Sequence, residues 1–106
     1  MNYKNAQIAD AQAEPNGQAT PFQQQSNGLP RGATFTVNSQ TTVYLYWQDD
    51  PNAAAPTAGE VVTKGFPLTQ GKLLRLDWNP EDGDAHDMSH LFMAANGPGG
   101  DLRAIT

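Results

Sequence analysis

The sequence predicts an all-β fold: a small antiparallel β-sandwich or barrel of about six strands, preceded by an extended N-terminal arm. Three observations carry that expectation. The 106 residues are 38% hydrophobic and hold eight prolines and ten glycines, a balance of strands and turns rather than helices. Short runs of alternating apolar and polar residues recur after residue 32. Within the run Gly65-Phe66-Pro67-Leu68-Thr69-Gln70-Gly71-Lys72-Leu73-Leu74-Arg75-Leu76-Asp77, Pro67 fixes φ and Gly71 permits positive φ. The chain is therefore expected to reverse there before Leu74, Leu76 and Trp78 alternate with Arg75 and Asp77.

The composition changes near Leu29-Pro30-Arg31-Gly32, dividing the chain into a polar N-terminal arm, residues 1–32, and a β-sandwich module, residues 33–106. The large apolar residues of the arm are Met1, Tyr3, Ile8, Phe22 and Leu29, too few to bury a core of their own. Around Gln23-Gln24-Gln25 the arm fits either a solvated linker or an extended segment bonded to a neighbouring subunit, with Tyr3, Ile8 and Phe22 as spaced anchors. A third possibility is a short helix over residues 5–13, favoured by its alanines and stopped by Pro15.

In the module, Ala33 to Asn38 alternates with Phe35 and Val37 on one face, and Asn38-Ser39-Gln40 turns into the strongest strand, Thr41 to Trp47. There Val43, Leu45 and Trp47 point one way and Thr42, Tyr44 and Tyr46 the other, so both faces carry bulk. A small, weakly polar loop follows over residues 52–59, then a short strand from Glu60 to Lys64, a turn over Gly65 to Gly71 and a strand from Lys72 to Trp78. Asn79-Pro80-Glu81-Asp82 resembles a one-turn helix start within an acidic loop. The last pair, His90 to Asn96 and Asp101 to Ile105, is expected as a hairpin across Gly97-Pro98-Gly99-Gly100.

Charge and composition exclude several function classes. Eleven acidic residues against six basic ones give a net charge of −5, which opposes phosphate backbones and anionic lipid, and the cations form no run. Neither nucleic acid nor membrane is expected as a partner. With no cysteine, disulfides and thiolate metal sites are excluded. The first ten residues lack the apolar stretch of a secretory signal, so synthesis in the cytoplasm is the expectation. A module this short gains stability by burying a face against a neighbour, which predicts a homo-oligomer.

Chemistry finds little support. Both histidines fall in the segment Glu81-Asp82-Gly83-Asp84-Ala85-His86-Asp87-Met88-Ser89-His90, but the calcium-loop spacing fails and no Glu follows His86 as in the metalloprotease motif. A solvated acidic loop is the expected role, with no metal and no cofactor. Ser26, Ser39 and Ser89 lie in no nucleophile elbow, and Asp49-Asp50 face opposite ways if extended, so neither catalytic residues nor an enzymatic role is expected. Partner contacts are expected instead from Tyr3, Ile8 and Phe22 on the arm and from Tyr44, Tyr46 and Trp47 on the sheet.

The order of Thr42-Val43-Tyr44-Leu45-Tyr46, the Gly65-to-Asp77 run, Leu91-Phe92-Met93-Ala94-Ala95-Asn96-Gly97 and Asp101-Leu102-Arg103-Ala104-Ile105 resembles the small β-sandwich structural proteins of bacteriophage particles. The resemblance covers about Ala33 to Thr106 and departs from the pattern at residues 52–59 and 79–90. It implies a noncatalytic virion component located in the particle, such as a capsid decoration or cement protein, or a minor capsid protein at a vertex or head-fibre base. Its partners would be capsid or other virion proteins. A tail piece, or a carbohydrate-binding module that attaches to a host glycan through Tyr44, Tyr46 and the loop from Asp49 to Thr57, is the alternative.

Overall fold

The structure, a computed structural model, describes residues 2–5, 8–21, 33–48, 53–76 and 91–105. Eight strands and one helix follow in the order β1 (Asn2–Asn5), β2 (Thr20–Pro21), β3 (Ala33–Val37), β4 (Val43–Trp47), α1 (Ala58–Lys64), β5 (Phe66–Leu68), β6 (Leu73–Leu76), β7 (Leu91–Ala95) and β8 (Leu102–Ile105). They form two antiparallel sheets, sheet A in the order β1-β8-β3-β6 and sheet B in the order β2-β7-β4-β5. The arrangement is a sandwich, not a closed barrel.

The pairings β1–β8, β2–β7, β3–β6 and β4–β5 are those of a chain folded in half, and the further pairings β3–β8 and β4–β7 roll this long hairpin upon itself. That connectivity is the strand order of a double-sheet jelly roll. It also means that β3 and β4, β5 and β6, and β7 and β8, each joined by a short connection, lie in opposite sheets. The hairpin expected from His90 to Ile105 is therefore an arch between sheets, and the turn after β5 is an arch as well. Hydrogen bonds stitch the arches together at one end of the sandwich. Asn38 N donates to Asp101 O at 2.9 Å, Asn96 N to Thr42 O at 3.2 Å, and Gly71 N to Val37 O at 3.0 Å. Side chains add to this, with Thr41 Oγ1 donating to Pro98 O at 2.7 Å and Asp101 N to Ser39 Oγ at 3.1 Å.

Alternation sends every second strand residue between the sheets. Phe35, Val37 and Leu102 from sheet A meet Val43, Leu45, Leu68, Leu91, Met93 and Ala95 from sheet B, and all are buried. Ile8, Trp47 and Leu74 complete this core as partly buried members. The faces expected for Phe35, Val37, Val43, Leu45 and Trp47 are those observed.

Three further sequence expectations change. Glu60 to Lys64 is not a strand but the body of α1, because Thr57 caps the helix by accepting from Glu60 N at 3.2 Å. The reversal expected over Gly65 to Gly71 narrows to residues 69–72, where Gly71 has φ +79° and Lys72 N donates to Thr69 O at 3.1 Å. Phe66–Leu68 before it is a strand that pairs with β4, and Pro67 is tolerated because β5 lies at the sheet edge.

The third change concerns the N-terminal arm, whose described residues belong to the sandwich. Asn2–Asn5 pairs with β8, and Thr20–Pro21 pairs with β7. Between them a strap crosses sheet B: Ala11 N donates to Ala95 O at 2.8 Å, Ala95 N to Ala9 O at 2.7 Å, and Ala9 N to Thr20 Oγ1 at 2.8 Å. The short helix considered over residues 5–13 does not form; Asp10 makes a parallel bridge to Ala95 instead. Backbone groups of a polar segment find partners on the sheet, which supplies what its few apolar side chains do not.

Candidate functional surface

The outer faces of the two sheets differ sharply. Opposite the main core, sheet B presents Tyr44, Tyr46, Phe92 and Ala94, and these pack into a second cluster with Ala9, Ala11 and Ala19 from the strap and Ala58, Val61 and Val62 from α1. Strap and helix lock together. Ala58 N donates to Gly17 O at 2.7 Å, Gly59 N to Pro15 O at 2.8 Å, and Ala19 N to Pro56 O at 3.1 Å. A side chain at position 59 would set its Cβ 2.9 Å from Pro15 O, so the close approach requires glycine.

Sheet A has no such cover among the described residues. Since Phe35, Val37, Leu74 and Leu102 point inward, Thr34, Thr36, Leu73, Arg75 and Arg103 point outward. Register makes a row of Leu73, Thr36 and Arg103 across β6, β3 and β8, with Arg75 opposite Thr34 alongside it. Leu73 is 72% exposed, at the β6 edge. Arg103 reaches Asp101 at 3.4 Å as an exposed ion pair, a contact worth little to stability.

The residues expected at a partner surface do not form one site. Tyr44 and Tyr46 are half-buried beneath the chain's own strap and helix, whereas Trp47 lies on the opposite face of β4 against the main core. Ile8 packs on that core too, Tyr3 takes the register position opposite Ala104 in sheet A, and Phe22 lies outside the described residues. Bulk on both faces of β4 was a correct sign that both are covered. What the sequence reading missed is that one cover is intramolecular, although the Thr57-x-x-Glu60 spacing is the capping signal that announces α1.

The acidic loop with His86 and His90 lies outside the described residues. Among the described residues no group of three or more His, Cys, Asp or Glu is placed to hold a metal ion, and no helix is long and apolar enough to cross a membrane. Comparison with protein-family models, with characterised proteins and with solved structures finds no significant match.

Proposed function

We propose that this chain is a noncatalytic structural protein of a bacteriophage virion, a capsid decoration or cement protein or a minor capsid protein, that binds neighbouring subunits. The observation that carries the reading is the rolled order β1-β8-β3-β6 over β2-β7-β4-β5, an architecture shared by viral capsid domains. It joins the motif order noted above from Thr42 to Ile105. A sheet face that no described residue covers supports the same reading, since a small domain is stabilised by burying such a face against a neighbour.

The test is removal and return. Particles made without the gene should lose stability to heat or low salt, and the purified chain added back should bind them and restore it. Particles that neither need nor bind the chain would refute the assignment. Lectin domains share the rolled order, and the rims of Tyr44 and Tyr46 stay partly exposed, which favours a glycan-binding attachment module as the second reading. Saturable binding on a glycan array, with no binding to particles, would select it.

A further inference from the structure

The chain contains three Asn-Gly pairs, Asn16-Gly17, Asn27-Gly28 and Asn96-Gly97. Asparagine before glycine is a chemically labile pair, because no side chain shields the glycine nitrogen from the neighbouring amide carbon, Cγ. Asn27-Gly28 lies outside the described residues. Asn16 and Asn96 are both exposed, and neither side-chain amide bonds to a described residue. What separates the two pairs is the attacking nitrogen. Gly17 N is engaged in the strap, donating to Glu14 O at 3.0 Å, while Gly17 O accepts from Ala58 N at 2.7 Å. Gly97 N, in the arch between β7 and β8, donates to no described residue. Gly97 is buried at φ +148°, and an N–H held there without an acceptor loses less on being consumed than one already bonded.

We propose that Asn96-Gly97 is a self-modification site, at which asparagine converts to aspartate and isoaspartate and loosens the closed end of the sandwich as the protein ages. Gly97 N gives up its proton and bonds to Asn96 Cγ; the Cγ–Nδ2 bond breaks, and ammonia leaves with that proton as a cyclic imide closes. Water then opens the imide at either carbonyl, giving its OH to the new carboxyl group and its remaining hydrogen to the nitrogen. Opening at Cγ yields aspartate. Opening at the main-chain carbonyl yields isoaspartate, whose backbone runs through Cβ and Cγ and is one atom longer. The extra atom falls between Asn96 N, which donates to Thr42 O at 3.2 Å, and Pro98 O, which accepts from Thr41 Oγ1 at 2.7 Å. Both stitches hold the same neighbouring arch, so a longer chain between them strains one or the other.

The test ages the intact chain in mildly alkaline buffer, digests it and reads each site by peptide mass spectrometry, with isoaspartyl methyltransferase labelling to count isoaspartate. In the folded chain Asn96 should convert at least about fivefold faster than Asn16, the factor that one net hydrogen bond supplies. In denaturant both pairs lose their surroundings and should convert at similar rates. The melting temperature should fall as isoaspartate accumulates at Asn96, whereas fresh Asn96→Asp, which carries the charge without the longer backbone, should melt as the wild type does. Asn96→Gln closes the larger ring far less readily and should hold its melting temperature through the same ageing. Equal rates at the two sites of the folded chain, or faster conversion of Asn16, overturn the proposal. So does a melting temperature that stays constant as isoaspartate accumulates at Asn96, or one that falls as far in aged Asn96→Gln as in the wild type. An Asn96→Asp chain that melts as low as the aged wild type assigns the loosening to charge and removes the role of the longer backbone.

Discussion

At the scale of single residues, alternation placed the core correctly. Phe35, Val37, Val43 and Leu45 are buried where a period of two puts them, because a strand between two sheets offers each second side chain nowhere else to go. Phe35 is fully buried, and Phe35→Ala should cost about 3–5 kcal/mol, enough to unfold much of a domain this small. Thr57→Ala removes the cap of α1 and should cost about 1 kcal/mol in denaturant melts. Gly71→Ala meets no neighbour, so its expected cost of about 1–2 kcal/mol comes from the positive φ alone. A neutral result would mean that the arch relaxes to another turn.

Among the elements, the sequence conveyed strands but not their partners. A hairpin and an arch both show alternation, a turn and alternation again, so Leu91 to Ala95 and Leu102 to Ile105 look like neighbours in one sheet and are not. Two connections did hold a clue: residues 38–42 and 69–72 lack the two-residue turn pairs that best suit hairpins, whereas Asn96-Gly97 and Gly99-Gly100 are hairpin signals that the jelly-roll connectivity overrides. Val61-Val62 gave Glu60 to Lys64 a strand-like composition that the Thr57 cap and burial of Val61 against sheet B override. The polar segment before residue 21 was illegible as structure because backbone bonds, such as Ala95 N to Ala9 O, hold it to the sheet.

That element makes a clear prediction. Deleting residues 1–19 strips the strap and β1 and should lower the melting temperature by more than about 10 °C, roughly 2 kcal/mol for a domain of this length. It should also expose Tyr44, Tyr46 and Phe92 to solvent, read as increased dye binding or altered tyrosine fluorescence. An arm reaching only to a neighbour would leave the melt of the isolated chain unchanged.

For the whole molecule, the three stitched arches close one end of the sandwich, and β2, β4 and β6 end toward the other, at Pro21, Trp47 and Leu76. Among the described residues, one sheet is covered by the strap and α1 and the outer face of the other is not. Within the proposed function, this division suits a subunit that meets a neighbour through the outer face of sheet A. The most direct measurement of the proposed virion role is the copy number of the chain, by quantitative mass spectrometry, in density-purified particles of a phage found to carry its gene. A fixed stoichiometry, retained through successive gradients and matching a symmetric set of capsid positions, is the predicted result; particles free of the chain would contradict the account.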